Sequence, residues 1–225
     1  MTPKTVFSGA SRIIVNLQKI EAKSSYGLEV LRDAARNRGF KGLVSASLKI
    51  IRSKVFGQRR LIFVVDPLGS DLASPIEVPN YKILSIPHGD MINEALKKEL
   101  IEHQHYILPN TETLLTKGGQ LWAGYLNGQL AHVACTRTGD AIGAYFFPMT
   151  AECVLISHCV TFPAYRGHSL YPATLMHIVR TLAGKSFKLF YIDCCDWNGP
   201  SERAIRRAGF HLLGSRRCNR QTPLL

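Results

Sequence analysis

One stretch of this chain passes from an apolar strand through a glycine-containing turn into a helix, and this succession constrains the fold more than any other feature. "ECVLISHCVTF" (152–162) is rich in apolar and β-branched residues, which is typical of a central strand. "PAYRGHSLYP" follows, and then a helix that we predict from about Ser169 to Ala183. A strand that leads directly into a helix favours an α/β sheet.

The turn between this strand and this helix has the chemistry of an anion site. The first N–H groups of a helix have no partner inside the helix, and the helix dipole is positive there. Gly167 permits close approach of the backbone, and Pro172 costs little in a first turn, where its missing N–H is not needed. Residues 166–170 therefore predict a phosphate-binding turn, although an ordinary strand-to-helix turn explains the same residues.

The rest of the chain alternates between strand-like and helix-like segments. From Tyr81 onward the predicted order is β-α-β-β-β-α-β-α-β, an α/β (α+β) sheet of mixed direction. A proline-containing link at 66–79 predicts two parts: a helical extension with one strand at 1–66, and the main domain at 80–225. The predicted helices cover 26–38, 44–55, 91–103 (capped by Asp90), 169–183 and 199–208, and the predicted strands cover 60–65, 81–86, a 121–135 hairpin turned at Asn127-Gly128, 152–162, 189–195 and 210–215.

The charge of the chain favours acidic partners. The net charge is +12, and eight of the basic residues lie between Arg36 and Arg60. We do not expect nucleic acid as a partner, because no aromatic residues interleave with the basic groups. The basic N-terminal helices are compatible with an anionic membrane surface or a phosphate-bearing substrate. The apolar stripe of the second helix is expected to pack against the protein, and it consists of Val44, Leu48, Ile51 and Val55.

The six cysteines favour a reducing compartment over a metal site. None of them forms a CxxC pair, and Cys194 and Cys195 are adjacent, which is poor spacing for a tetrahedral metal. His103 and His105 lack a third ligand, so we predict no metal. We expect no secretory signal, because the apolar run from Ile13 to Val15 is too short, whereas the basic and serine residues of this stretch leave a transit peptide open. No apolar run approaches about 20 residues, so we expect no membrane span. These features predict a cytoplasmic protein.

A second motif follows the next strand, and the two motifs together resemble a known family. "NGPSERAIRRAGF" (198–210) combines a helix with a terminal Gly-Phe. With "VTFPAYRGHSLYPATL" (160–175), it resembles the GNAT superfamily of acyl-CoA-dependent N-acetyltransferases over about 81–215. The earlier motif is similar to that family's pyrophosphate-binding motif. A weaker likeness is to members found in bacterial surface-polysaccharide gene clusters. The resemblance implies a mostly antiparallel central sheet flanked by helices, with an N-terminal helical extension.

The resemblance also implies which residues bind acetyl-CoA. The backbone of Val160 and Thr161, beside Cys159, would contact the pantetheine arm. Asn198 would bond the pantetheine, with Ser201 close by. The residues that would supply N–H groups to the pyrophosphate are Arg166, Gly167, His168, Ser169, Leu170 and Tyr171.

The sequence departs from the family pattern at three positions in the two motifs. The family usually has glycine at Ser169 and a small residue at Tyr171. Many members have a tyrosine at the position of Ile205, where it protonates the leaving thiolate. Because Ile205 cannot donate a proton, the protein uses another acid, uses water, or lacks catalysis.

Three side chains are candidates for catalysis. Simple strand alternation places His158 on one face with Val154, Ile156 and Val160. The resemblance implies that the family's base, where there is one, lies on the face of Val160, so His158 is predicted as the general base, acting directly or through water. A buried histidine bonded to a neighbour is the alternative. Asp193 could orient the acceptor, or lie exposed to solvent. Tyr171 could donate a proton to the thiolate if its side chain turns inward.

The sequence therefore predicts a transferase that moves an acetyl group from acetyl-CoA to an amine by direct attack. The acceptor would be an amino sugar of polysaccharide biosynthesis or another small amine. A longer acyl donor, a hydroxyl acceptor, and a non-catalytic domain that binds CoA or a partner are the alternatives. A monomer and a homodimer are both left open.

Overall fold

The computed structural model describes residues 9–69, 74–87, 92–103, 119–142, 145–185 and 187–218. From Tyr81 onward its element order is the predicted one. The elements are α1 (Gly9–Phe56), β1 (Gln58–Val65), β2 (Tyr81–Ile86), α2 (Glu94–Glu102), β3 (Gln120–Leu126), β4 (Gln129–Thr138), β5 (Cys153–Thr161), α3 (Leu170–Ala183), β6 (Leu189–Cys195), α4 (Gly199–Arg207) and β7 (His211–Cys218).

All the described strands form one sheet in the order β2-β3-β4-β5-β6-β1-β7. Its neighbouring strands are antiparallel, except for β5 and β6, which are parallel. Asn127 and Gly128 turn the β3–β4 hairpin with φ values of 51° and 80°, as a two-residue hairpin turn with both residues at positive φ requires. The predicted mixed, mostly antiparallel sheet is confirmed.

Each face of the sheet has its own apolar core. On one face α3 and α4 cover the sheet with fully buried side chains such as Leu175, Ile178 and Ile205. On the other face α2 contributes Leu96, which packs with Phe162 and neighbouring strand residues. We call these the helix-covered face and the α2 face.

The strand β1 is an interior strand of this sheet. It lies between β6 and β7 and pairs with both of them. Its Phe63 and Val65 are fully buried in the core beneath α3 and α4. The division of the chain at residues 66 and 80 stays a prediction, but the strand assigned to the N-terminal extension belongs to the common sheet.

The long helix α1 is kinked at Gly39, where φ is 60° and ψ is −154°. In its second segment Gly42 and Ala46 are buried. The expected packing of Val44, Leu48 and Ile51 is wrong, because their side chains are 41%, 60% and 59% exposed. Val55 lies outside the described side chains. Among the described helices, none combines the length and apolarity that crossing a bilayer requires.

The helix α2 begins later than predicted. Asn93 is its N-cap, and the side-chain Oδ1 accepts a hydrogen bond of 2.8 Å from the backbone N–H of Leu96. Asp90, the predicted cap, lies outside the described residues. Both residue types satisfy a free N–H in the first helical turn, so composition alone does not choose between them.

Candidate active site

The strands β5 and β6 separate part-way along their length and open a gap in the middle of the sheet. Their parallel pairing joins Cys153–Ile156 to Leu189–Ile192. Beyond this point β5 stays paired with β4 as far as Thr161, and β6 stays paired with β1 as far as Cys195. The backbone of residues 157–161 therefore borders an opening instead of a neighbouring strand.

A β-bulge lies at the start of this opening. Val133 pairs with Val160 and Cys135 pairs with Ser157, so two residues of β5 stand opposite one residue of β4. His158 is one of the two, and its φ of 54° lies in the left-handed region. Such a bulge shifts the alternation of side chains by one residue, so residues before and after it exchange faces.

The bulge overturns the predicted shared face of β5. Val154 and Ile156 pack in the core on the helix-covered face, whereas Val160 packs with the core on the α2 face. Cys159, instead of Val160, lies on the same side as Ile156. The alternation argument for His158 is therefore wrong, although His158 itself borders the gap.

His158 is a neutral imidazole at neutral pH. Its Nδ1 lies 3.0 Å from the hydroxyl oxygen of Ser157. Burial lowers the pKa of His158 to about 4, and the positive charges of Arg137 and Arg60 lower it further against the opposing effect of Asp193. A neutral imidazole beside the opening can accept a proton.

Asp193 anchors a polar cluster on the α2 face of β6. Its Oδ2 accepts a short hydrogen bond from Nε of Arg60, and its Oδ1 accepts one of 3.1 Å from the Tyr145 hydroxyl. The side chains of Arg60 and Asp193 are only 19% and 12% exposed. Asp193 therefore lines the α2 face of the sheet near the gap, and it also fixes an arginine and a tyrosine there.

Three residues of this side were not predicted from the sequence. Arg60 and Tyr145 bind Asp193 from distant parts of the chain. Arg137, on β4, is 5% exposed and pairs in the sheet with Leu155. For the two arginines, the sequence signal that could have identified them was a charge within a largely apolar strand, "RRLIFVV" for Arg60 and "LAHVACTRT" for Arg137.

Tyr171 lies on the helix-covered side of the gap. Its hydroxyl accepts a hydrogen bond of 3.4 Å from the Ser201 hydroxyl and also bonds the thiol of Cys159. These contacts connect the first turn of α3 to the first turn of α4 and to β5. Ile205 is fully buried in the core, so it has no access to the gap. Tyr171 thus brings a phenol to the side where Ile205 offers none.

His132 is buried beneath Tyr171. The two rings stack with centroids 5.7 Å apart, and His132 Nδ1 lies 2.7 Å from the Thr161 hydroxyl. Burial lowers the pKa of His132 to about 3, so it is neutral. The Thr161 carbonyl also accepts a hydrogen bond of 3.0 Å from Nε of Arg166. Thr161 is therefore held at the end of β5 by both of its polar groups.

The turn from Arg166 to Leu170 contains two residues with positive φ values and leads directly into α3. Gly167 and Ser169 have φ values of 87° and 60°, and α3 begins at Leu170. Ser169 thus adopts the left-handed conformation that glycine prefers. Within this turn the side chain of Leu170 is buried and that of His168 is exposed. A Cβ at Gly167 would meet no atom within 4 Å, which leaves the approach to the loop open.

Asn198 and Cys159 have structural partners. Asn198 caps α4, because its Oδ1 accepts a hydrogen bond of 3.2 Å from the backbone N–H of Ser201. The Cys159 thiol donates to the Ser157 carbonyl at 3.6 Å. Burial raises the pKa of this thiol well above its usual value, so it is not a thiolate nucleophile. The pantetheine contacts predicted for both residues stay predictions.

The histidine pair falls partly outside the described residues. His103 stacks on Phe162 with ring centroids 3.9 Å apart, and His105 is not described. In the described part of the chain, no group of three or more His, Cys, Asp and Glu side chains is arranged to hold a metal ion.

Several solved structures that share this fold are described as GNAT-family acetyltransferases. A GNAT-family protein from Novosphingobium aromaticivorans is 18% identical, with a TM-score of 0.50 over 70% of this chain and 61% of that one. A GCN5-related N-acetyltransferase from Kribbella flavida is 10% identical, with a TM-score of 0.50 over 74% and 61%. A GCN5-related glucosamine N-acetyltransferase region of a fungal β-N-acetylglucosaminidase is 12% identical, with a TM-score of 0.51 over 77% and 22%.

These similarities establish the fold. The chain spans about three fifths of the length of the first two structures, and the sequence identities are low. No protein-family model and no curated protein matches the sequence. The shared architecture includes the sheet and its flanking helices, as the two sequence motifs predicted. This chain has the fold of the GNAT superfamily of acetyltransferases.

Proposed function

We propose that this protein transfers an acetyl group from acetyl-CoA to an amine by direct attack. The observation that carries this proposal is the gap between β5 and β6, whose β5 edge leads into the turn at residues 166–170. An open strand edge suits the amide groups of a pantetheine arm. The first N–H groups of α3, which have no acceptor within the helix itself, suit a pyrophosphate. The strand edge and the turn follow one another along one path, as a single extended donor molecule would require.

The acceptor would approach the thioester from the α2 face. His158 borders the gap and its imidazole is neutral above pH 4 or so. It would take the proton that the attacking amine loses as the new N–C bond forms. A backbone N–H of β5 bordering the gap would donate to the oxyanion of the tetrahedral intermediate. Asp193, held by Arg60 and Tyr145, would orient the acceptor from the same face.

The leaving group would depart on the helix-covered face. When the tetrahedral intermediate collapses, the C–S bond breaks and the sulfur takes the electron pair. Tyr171 would give its phenol proton to that thiolate, because its hydroxyl lies among Cys159 and Ser201 at the edge of the gap. This assignment replaces the acid that Ile205 cannot supply. No covalent enzyme intermediate is required.

We propose an amino sugar as the acceptor class. The motif likeness to members from surface-polysaccharide clusters supports it, and so does the fold shared with a glucosamine N-acetyltransferase region. A cytoplasmic location is part of the proposal, and the six free cysteines are compatible with it. A longer acyl donor, a hydroxyl acceptor and a non-catalytic CoA-binding domain remain the competing functions.

The test is thiol release from acyl-CoA, followed by mass spectrometry of the product. We expect CoA release from acetyl-CoA with glucosamine and none with N-acetylglucosamine, which keeps the hydroxyls but has no free amine. Equal release with both sugars would indicate a hydroxyl acceptor. Release only from octanoyl-CoA would indicate a longer donor. CoA binding without release from any donor, across a panel of sugar, polyamine and peptide amines, would contradict an enzymatic function.

A further inference from the structure

Arg137 is a buried charge for which the described residues supply no counter-ion. Its side chain is 5% exposed, and its Nε is buried without a hydrogen-bond partner. No hydrogen bond or ion pair joins the guanidinium to any other residue that the structure describes. Buried charges in folded proteins are normally paired, because an unpaired one opposes folding. An arginine kept in this state is available for a ligand.

The groups around Arg137 do not neutralise it. Asp193 lies on the same face of the sheet, but both of its carboxylate oxygens are bonded, one to Arg60 and one to Tyr145. The thiol of Cys135, two residues away on β4, interacts with Arg137 electrostatically. Burial raises the pKa of Cys135 to about 12, so the thiol is uncharged at neutral pH.

Arg137 is also close to the proposed acceptor path. In the β4–β5 register it pairs with Leu155, before the bulge at His158. The side chains of Arg137 and Cys135 face away from the helices α3 and α4, on the face where the Asp193 cluster lies. Its charge acts directly on His158. A ligand group that bound Arg137 would thus lie on the same side as the proposed base.

We propose that Arg137 binds an anionic group of the acceptor, so that the substrate is an amine that also has a carboxylate or a phosphate. A guanidinium presents a planar fork of N–H donors that fits two oxygens of either group. The substrate assignment depends on the proposed acetyl transfer, whereas the anion site itself does not.

Anion binding can be measured without turnover. Inorganic phosphate and acetate are titrated by calorimetry into protein saturated with CoA, at constant ionic strength set with chloride. Arg137→Met should weaken binding of one of these anions at least tenfold, and Arg137→Lys should weaken it less. Arg59→Met is the matched control, because Arg59 is exposed and bonds Ser215 on β7. Arg137→Met should also melt at a higher temperature than wild type, which rules out misfolding as the cause.

Turnover measurements then show whether Arg137 recognises an anionic acceptor or binds only a free inorganic ion. We expect glucosamine 6-phosphate, or an amino acid if acetate was the bound anion, to exceed glucosamine in kcat/KM. Arg137→Met should remove that preference, so that the two amines approach equal kcat/KM. Anion binding that is unchanged in Arg137→Met would overturn the inference, even if acetyl transfer is found. Binding that Arg137→Met abolishes, in a protein that acetylates nothing, would support the anion site and contradict the proposed function.

A second inference comes from α1, on a different part of the surface. Its second segment has an exposed apolar stripe at intervals of four, four and three residues. Gly42 and Ala46, on the opposite side of the segment, are buried. The stripe consists of Phe40, Val44, Leu48 and Ile51, which are 79%, 41%, 60% and 59% exposed.

Positive charge flanks this apolar stripe. Lys41, Lys49 and Arg52 are exposed and line, with the stripe, an open groove of about 460 Å³. The sequence has no acidic residue between Ala34 and Val65. A helix with an apolar side and lysine or arginine next to it has the composition of helices that lie in the interface of anionic membranes.

Contacts with α4 and with the end of β6 hold the helix in this orientation. Arg203 of α4 forms an ion pair of 2.6 Å with Asp33, in the first segment of α1. Lys49 Nζ donates a hydrogen bond of 3.3 Å to the carbonyl of Asp196, which follows β6. With these contacts in place, Phe40 and Leu48 remain directed outward. We infer that the stripe docks on an anionic lipid surface and brings the end of β6 near the membrane.

Vesicle co-sedimentation tests this docking. The full chain should bind vesicles of phosphatidylcholine with a quarter phosphatidylglycerol at least tenfold more tightly than pure phosphatidylcholine. The triple variant Phe40→Ser, Leu48→Ser, Ile51→Ser keeps every charge and should lose at least tenfold in affinity. The matched control changes three other exposed apolar residues to serine, and these are Leu68, Leu84 and Ile101.

The outcomes separate a membrane from the other occupants of the stripe. A triple variant that binds anionic vesicles as well as wild type would overturn the inference, since charge alone would then explain binding. A wild-type dimer that the triple variant dissociates, with no vesicle binding, would also overturn it and would assign the stripe to a second copy of the chain. Loss of binding in the triple variant with retention in the control would support it.

Discussion

The two sides of the gap between β5 and β6 differ in charge. On the helix-covered side the groups that meet are uncharged: the phenol of Tyr171, the hydroxyl of Ser201 and the thiol of Cys159. On the α2 side the groups are ionic: Arg60 pairs with Asp193, and Arg137 has no partner among the residues that the structure describes. Protonation of a leaving thiolate suits the first set. Recognition of a polar acceptor suits the second.

The two sides also differ in how the chain builds them. The helix-covered side comes largely from two short motifs, one around residues 160–175 and one around 198–210. The α2 side is assembled from β1, β4, β6 and the segment before β5, which are far apart in sequence. A local motif therefore reveals the proposed donor side, whereas the proposed acceptor side becomes visible only in the folded sheet.

The largest effect that would sharpen this comparison is on stability. Asp193→Asn would leave Arg60 buried without its counter-ion, and removing one partner of a buried ion pair costs about 3 kcal/mol of unfolding free energy. The matched control is Glu152→Gln, which breaks the exposed Lys188–Glu152 pair and should cost less than about 1 kcal/mol. Urea unfolding at pH 7 measures both. Equal losses would show that the α2-side pair is no more important than a surface pair.

The next effect concerns catalysis on the uncharged side. Tyr171→Phe should lower kcat about 100-fold, the contribution typical of a positioned acid, with little change in KM for acetyl-CoA. Tyr165→Phe is the control, because its hydroxyl bonds Gln129 instead of a residue at the gap. Steady-state kinetics of CoA release gives both values. If Tyr171→Phe keeps full kcat, water protonates the thiolate and Tyr171 is structural.

A smaller effect is the acid sensitivity that His132 confers. Burial lowers the pKa of His132 from 6.5 to about 3, so the unfolded state binds the proton more readily than the folded state. The stability that depends on a neutral His132 is therefore fully present above pH 6.5. As the pH falls towards 3, the free energy of unfolding decreases by about 1.4 kcal/mol per pH unit. His132→Gln should flatten the decline between pH 6.5 and 5 in urea unfolding. A decline of the same slope in the variant would assign the acid sensitivity to other groups.

The smallest effect separates backbone strain from donor binding. Gly167→Ala and Gly128→Ala both place a Cβ at positive φ, 87° and 80°, with no atom within 4 Å. Each should cost about 1 kcal/mol of stability. Only Gly167→Ala should also weaken CoA binding, about tenfold if the added methyl group displaces the phosphate. Calorimetric titration with CoA compares the two. Similar CoA affinity in both variants would place the pyrophosphate elsewhere.

The element order could be predicted from the sequence because the strands are short, apolar and bounded by turn residues. Asn127-Gly128 predicted the hairpin, and the order from Tyr81 onward is confirmed. The place of β1 inside the sheet could not be predicted, because strand order depends on pairing between distant segments. The exposed stripe of α1 is a similar case, since an apolar period shows amphipathicity but not which side is covered.

The candidate site was only partly predictable for a comparable reason. The turn at residues 166–170 was predicted from local residue types, and the structure gives Gly167 and Ser169 positive φ values. Its role in anion binding stays a prediction. The bulge at His158 is a property of the ladder with β4, so simple alternation gave the wrong faces for β5. Arg137 and Tyr145 have no local motif, and only the sheet brings them to the same face.

The most direct test of the central claim is whether the gap between β5 and β6 binds acyl-CoA. Thermal unfolding is followed with and without acetyl-CoA, CoA and adenosine 3′,5′-bisphosphate. A ligand at 100 times its Kd that binds only the folded state adds about 2.7 kcal/mol to the unfolding free energy. The account predicts a clear rise in Tm with acetyl-CoA and CoA, and a smaller one with the nucleotide, which lacks the pantetheine arm. No rise with acetyl-CoA or CoA would contradict the claim.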